Sequence, residues 1–228
     1  VKRESSSPEV QLATLAAAIA DPARARMLCS LLDGQSRTAT ELAAVSDVSS
    51  SSASGHLMRL RNGGLVDVKA QGKHRYFRLA SHEVAAALEA LQVVAGGQRM
   101  ASALSVPAPL RQARTCYDHM AGTVGVRMHD ALLSRRWLVS KDGDYELSPA
   151  GERSLSKLGI NVDAVRRHRR RFAFPCMDWS ERRPHLGGAL GAALLDFALA
   201  QRWVSRALDS RALRFTPRSA TLFENTWR

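Results

Sequence analysis

Two short segments of the 228-residue sequence bring thiols, imidazoles and carboxylates together. RTCYDHMAG (114–122) holds Cys116, Asp118 and His119, and FPCMDWSERRPH (174–185) holds Cys176, Asp178, Glu181 and His185. In each, an Asp follows the Cys by two positions. Cys116 and His119 are three apart, which puts them on one face if the segment is helical. Two thiolates and two imidazoles suit zinc or another soft metal ion. The candidate ligand set is Cys116, His119, Cys176, Asp178 and His185. The same cysteines could instead form a redox pair or meet an electrophile. The segments could also line a pocket for a small organic ligand, or the groups could be buried and structural.

A second stretch offers different chemistry. VSSSSASGHLMRLRNGGLV (48–66) runs four serines directly into an amphipathic pattern. Ser49 suits an N-cap, and Ala53, Leu57 and Leu60 form one apolar stripe of a helix reaching about Asn62. Gly63-Gly64 closes it. Small hydroxylated side chains at a helix tip permit close approach to duplex DNA and can bond to phosphate or base edges. Ser49, Ser50, Ser51, Ser52, Ser54, Gly55, His56 and Arg59 are therefore candidate DNA contacts. The competing reading is a serine linker beside an unrelated helix.

The elements that must position this tip are legible on either side. Gln11–Ile19 reads as a short helix. Asp21 caps the next, with Pro22 at its first position, Leu28, Leu31 and Leu32 on its apolar face and Gly34 at its end; Cys29 beside Leu28 is a small core residue. Thr38 and Glu41 form a capping box that opens a brief third helix through Leu42 and Val45. After Gly64, strands at Leu65–Lys69 and Arg75–Leu79 flank a turn at Gly72. Lys69, Lys73, His74 and Arg75 make this hairpin a basic wing, placed to reach backbone phosphate or the minor groove. Its charge could also serve only to prevent edge pairing.

Gly96-Gly97 and SVPAP (105–109) mark a boundary between residues 1–100 and 110–228. Beyond it lies a repeat (about 114–160 and 174–220). GVRMHDALLSRRWLV (125–139) aligns with GAALLDFALAQRWVS (191–205), pairing Gly125 with Gly191, Asp130 with Asp196, Leu133 with Leu199, Arg136 with Arg202 and Trp137 with Trp203. Each copy reads as helix, strand, turn, strand and Ser/Thr-Pro. The fold class is mainly α with small β-hairpin wings: an N-terminal winged helix-turn-helix, then a C-terminal α+β domain of two winged-helix-like halves about a pseudo-two-fold axis. RRHRRR (166–171) is either a further DNA contact or a solvated helix end paired with acidic groups such as Asp178 and Glu181.

Composition narrows the partners. With 33 Lys and Arg against 21 Asp and Glu, the formal net charge is +12, which favours a polyanion. Residues 1–100 carry 12 basic and 9 acidic side chains, the rest 21 and 12, so charge alone does not single out the serine tip. A 45% hydrophobic content supports real cores. No apolar run is long enough for a membrane span, and VKRESSSPEV has no secretory character. Three widely spaced cysteines predict a reducing, cytoplasmic setting. The sequence has no Gly-rich phosphate loop, G-x-S-x-G or HExxH, and Cys116 with His119 is the sole nucleophile–base candidate, so the chain is not read as an enzyme.

On these residues, 12–95 resembles the ArsR/SmtB family of bacterial winged helix-turn-helix repressors. The likeness lies in ADPARARMLCSLLDG, TATELA, the serine-tipped helix and VDVKAQGKHRYFRL. Ser50 stands where the family usually has Gln and Gly55 where it has His or Gln, so two base-reading side chains are shortened. The resemblance implies a homodimer paired through residues 9–19 and 82–95, bound to a near-palindromic operator on double-stranded DNA; together with the Cys/His segments this predicts a repressor released by a metal, thiol-reactive or small organic effector sensed by residues 110–228. The family's familiar metal positions lack ligands here: TATELAAVS has neither Cys nor His, and the last helix has His82 and Glu83 without a later histidine. CYDH and C-x-DWSERRPH also resemble segments of ArsR-like regulators that carry a C-terminal extension. The alternatives are an effector-independent architectural DNA binder and a thiol or metal enzyme.

Overall fold

The computed structural model describes residues 7–71, 74–97, 107–207, 210–216, 223 and 226–227. Contacts divide the chain into Val1–Leu88 and Glu89–Arg228. The division falls inside a helix rather than at the Gly96-Gly97 boundary read from sequence. Buried Glu89 already belongs to the second unit, where it accepts from Arg211 at 2.6 Å.

The first unit runs α1 (Pro8–Ile19), α2 (Pro22–Ser30), a 3-10 turn (Leu31–Asp33), β1 (Arg37–Thr38), α3 (Ala39–Ser46), α4 (Ser50–Asn62), β2 (Val66–Gln71), β3 (His74–Leu79) and α5 (His82–Gly97). Its helix starts follow local chemistry. Asp21 accepts from the Arg24 amide at 3.0 Å, and Thr38 and Glu41 complete a reciprocal capping box. Ser49 accepts from the Ser52 amide at 3.2 Å, so the serine run is a capped first turn and not a linker. Ala53, Leu57 and Leu60 are buried, as are Met27, Leu28 and Leu42 on the helices that α4 packs against. Gly64 adopts φ +68, a left-handed turn open to glycine without a Cβ penalty, and sends the chain into the wing. The wing pairs from Val66↔Leu79 out to Gln71↔His74, longer than the sequence suggests, and β1 joins β3 as a third strand.

Beyond α5, whose C-terminal part belongs to it, the second unit continues with α6 (Ala108–Gln112). It then repeats one pattern: a hairpin β4 (Arg114–Cys116) and β5 (His119–Ala121), helix α7 (Gly122–Ser134), and a second hairpin β6 (Leu138–Lys141) and β7 (Asp144–Leu147). After α8 (Pro149–Lys157) and α9 (Val162–Arg166) come β8 (Phe174–Met177), β9 (Pro184–Gly187), α10 (Gly188–Ala200), β10 (Val204–Arg206) and β11 (Leu213–Phe215). The expected helix–strand–turn–strand repeat is present down to the backbone: Arg136 and Arg202, one residue before the paired tryptophans, both adopt φ 55. Residues 217–220, at the end of the second copy, lie outside the described residues.

Each copy also has a leading hairpin that the sequence reading lacked. The two halves exchange partners through it. β5 lies against β9, α7 packs against β9 and α10 against β5. The recurring glycines make this approach possible. A Cβ on Gly125 would stand 2.5 Å from the Met120 carbonyl oxygen and 3.6 Å from His185 Cβ. One on Gly191 would stand 2.3 Å from the Leu186 carbonyl oxygen and 3.1 Å from His119 Cβ. Residues of both copies, among them Met120, Met128, Leu132, Leu186, Leu190 and Leu194, share one core. Gly191→Ala is therefore expected to destabilise the second unit by about 1–3 kcal/mol, since the close neighbour is backbone and cannot swing aside. Urea unfolding followed by tryptophan fluorescence measures this; an unchanged midpoint would refute the packing.

Candidate functional site

The first candidate surface is the tip of α4. Ser49, Ser50, Ser51, Ser52, Ser54, Gly55 and Arg59 are all exposed. Three of the hydroxyls interact among themselves: Ser49 Oγ lies 2.9 Å from Ser51 Oγ and 3.0 Å from Ser52 Oγ, while Ser54 donates to the Ser50 carbonyl at 2.9 Å. The apolar stripe faces the core, so the opposite face is left to solvent. His56 departs from the group. Its Nδ1 sits 3.4 Å from an Arg24 nitrogen and 3.8 Å from Asp21, and the ring is half-buried. Arg24 is held in turn by the Ala17 and Ala18 carbonyls. His56 thus ties α4 to α2. On the wing, Lys69 and Arg75 are exposed. Lys73 lies outside the described residues, and of His74 only the backbone, in β3, is described.

The second candidate is buried. Cys116 and His119 face each other across β4–β5, and Cys176 and His185 across β8–β9. The segment is not helical: a two-residue turn, with Tyr117 at φ 58, puts Cys116 and His119 opposite one another on paired strands rather than on one helix face. Because the hairpins meet at β5 and β9, the four side chains converge. One ligand atom from each lies within 4.8 Å of all the others. The two sulfurs are 3.8 Å apart and the imidazole centroids 5.1 Å. Cys116, His119 and His185 are at most 2% exposed.

Asp178 does not join the cluster, and this corrects its place among the ligands. It is fully buried and accepts from Arg114 at 2.9 Å, the Gly122 amide at 2.7 Å, and the Ser180 and Glu181 amides. Its other role is toward His185, whose Nδ1 lies 3.5 Å from Asp178 Oδ2. Asp118 does the same in the first copy, with Oδ1 3.1 Å from His119 Nδ1. Arg170 pairs with Asp118 as Arg114 pairs with Asp178. The recurring Cys-x-Asp therefore supplies an imidazole partner rather than a ligand. Arg114 and Arg170 were missed in sequence; Asp118 was noted there, two residues after Cys116, but given no role.

Electrostatics follow from burial. The Cys176 sulfur, then burial, push the Cys116 thiol well up. Burial disfavours a charged His119, but the Cys116 sulfur and Asp118 outweigh it and raise the imidazole. Burial, then the charge at His119, push His185 well down. Burial also opposes ionisation of Asp178, yet Arg114 and the amides of Glu181 and Gly122 hold its carboxyl well below the usual range.

Three of the six residues of the basic run 166–171 make structural contacts, while Arg167, His168 and Arg169 are exposed. Arg166 stacks on Phe172 and pairs with Glu152 at 3.7 Å, Arg170 bonds to Asp118, and Arg171 bonds to Asp144. Its partners are not the suggested Asp178 and Glu181, because Arg114 already occupies Asp178.

Residues 21–68 match the family of bacterial regulatory proteins described as the arsR family. Over 215 residues the chain is 40% identical to the HTH-type transcriptional regulator YdfF of Bacillus subtilis (strain 168), covering 93% of this chain and 95% of that one. The chain belongs to the ArsR family. This ArsR-family protein is a DNA-binding transcriptional regulator, and its likeness to YdfF extends through the Cys/His unit. It is also 42% identical over 87 residues to the HTH-type transcriptional regulator CmtR of Mycobacterium tuberculosis, which spans 38% of this chain and 73% of CmtR. Among solved structures, the homodimeric winged helix-turn-helix domain of Mb0332 from Mycobacterium bovis (fragment 1–100) is 29% identical. It covers 42% of this ArsR-family chain and 93% of that domain, at a TM-score of 0.37.

Proposed function

We propose that the protein is a cytoplasmic homodimeric repressor that grips a near-palindromic operator and is released when an effector engages its C-terminal unit. The observation that carries the DNA reading is the exposed hydroxyl tip of α4 beside a basic wing. Ser50, Ser51, Ser54 and Arg59 meet base edges and phosphates in the major groove, and Lys73, His74 and Arg75 reach the flanking backbone. His56 braces the tip. Dimerisation is supported by apolar side chains that one chain leaves uncovered: Val10 and Leu12 on α1 are 54% and 67% exposed, and Leu91 and Val94 on α5 are 50% and 67% exposed. No helix among the described residues is long and apolar enough to cross a membrane.

Release works by population shift. An effector that favours one arrangement of the dimer moves the two α4 tips off the spacing of successive major grooves. The unit performs no catalysis in this reading. A cysteine nucleophile needs a lowered pKa and access, whereas Cys116 is buried and its thiol is pushed up.

Fluorescence anisotropy with operator DNA across a salt series tests the wing. Arg75→Ala weakens binding to all sequences alike and flattens the log–log salt slope by about one unit. Altered sequence preference at an unchanged slope would remove Arg75 from the phosphate contacts. Sedimentation should give twice the chain mass of 24.9 kDa; a monomer that binds operator at full affinity would end the dimer reading.

A further inference from the structure

We propose that Cys116, His119, Cys176 and His185 bind one divalent, thiophilic ion of the zinc class, through both thiolates and Nε2 of both histidines, with Asp118 and Asp178 holding the imidazoles in place. The site deepens the effector reading above and rests on it for coupling to DNA.

Geometry carries the assignment. Two thiolates at about 2.3 Å from a tetrahedral ion stand about 3.8 Å apart, and the sulfurs here are 3.8 Å apart. The imidazole nitrogens complete a group whose members all lie within 4.8 Å of one another. Nε2 of His119 and of His185 is buried with no hydrogen-bond partner. The opposite nitrogen, Nδ1, is hydrogen-bonded to Asp118 in the His119 ring; in the His185 ring it lies 3.5 Å from Asp178 Oδ2 without forming a hydrogen bond. A carboxylate behind a ligating histidine fixes its tautomer and strengthens it as a donor. Each copy thus brings one Cys, one His and a nearby carboxylate, with the Asp118 carboxylate bonded to its ring and the Asp178 carboxylate 3.5 Å from its own.

Charge agrees. Two thiol protons, and the Nε2 proton of a charged His119, leave to solvent as two sulfur–metal and two nitrogen–metal bonds form, and no electron moves. Two thiolates then neutralise a divalent ion, while Asp118 with Arg170 and Asp178 with Arg114 are already balanced. A disulfide between Cys116 and Cys176 would shorten the sulfur separation to about 2.05 Å and still leave both Nε2 atoms unpartnered. Four protein ligands close the coordination shell, as in structural rather than catalytic zinc sites. The ion takes one Cys/His pair from each copy, so it staples the two halves through their leading hairpins.

The test uses the full-length, reduced protein titrated with Co(II) and then Zn(II). One Co(II) per chain is expected, with the strong visible bands of tetrahedral cobalt and a near-ultraviolet thiolate-to-metal band, all displaced by one Zn(II). Cys176→Ser weakens the thiolate band. Asp118→Asn keeps the bands but lowers Zn(II) affinity about 10- to 100-fold, a change that a merely structural Asp118 would not cause. Failure of the reduced wild-type protein to bind Co(II), a pale octahedral spectrum, or a thiolate band unaffected by Cys176→Ser would each overturn the site. The wild-type spectrum stands whether or not the variants fold. Operator binding is read separately: Co(II) binding lost with operator binding intact sinks the ion site alone, and the reverse sinks only the DNA reading.

Discussion

Ser51→Glu is expected to weaken operator binding by about 100-fold or more, because like charge brought against phosphate costs several kcal/mol. The same change should leave the fold intact. Ser51 is exposed and lies in the first turn of α4, next to the Ser49 cap. A carboxylate there complements the positive end of the helix dipole and stabilises by about 0.3–1 kcal/mol at low salt. Stability and DNA affinity therefore move in opposite directions, which separates a binding defect from a folding defect. Thermal unfolding and anisotropy on one preparation provide both readings. Near-normal operator affinity would show that the serine tip does not enter the groove.

The second large effect concerns Arg114, the buried guanidinium that pairs with Asp178. It is fully buried, donates to Asp178 at 2.9 Å, to Ser180 Oγ at 3.0 Å and to the Leu110 carbonyl at 3.2 Å, and its carbon lies 4.5 Å from the centre of the Trp179 ring. Arg114→Met keeps much of the volume but leaves Asp178 as a buried charge without its cation. Breaking such a pair costs about 3–5 kcal/mol. The lower half of that range is expected, since the Gly122, Ser180 and Glu181 amides still donate to the carboxylate. Chemical unfolding of the second unit would report the loss. A change below about 1 kcal/mol would mean that the ion pair is not what holds Asp178 in place.

What could be read in the sequence was local. Capping by Asp21, Thr38 and Ser49, the stripe Ala53–Leu57–Leu60 and the break at Gly64 each depend on residues within a turn of one another, so the N-terminal helices and the wing were legible. The ArsR-type motif lies in the same stretch. The repeat was legible too, because matching helices keep their glycine, arginine and tryptophan.

The site in the second unit depended on tertiary structure. A spacing of three, as in Cys116 and His119, fits both a helix face and a tight hairpin. The nine-residue gap between Cys176 and His185 excludes one helical turn and was the discriminating hint. Sequence placed Asp178 among the ligands because a carboxylate near Cys and His is chemically able to ligate. The fold instead turned it toward Arg114 and the rear of His185, since a buried carboxylate goes to the strongest donors available. Residue types and their duplication were thus set by the sequence alone. That the two Cys/His pairs meet, and that Arg114 and Arg170 reach Asp178 and Asp118, was decided by the packing of one copy against the other, because those contacts join residues more than fifty positions apart.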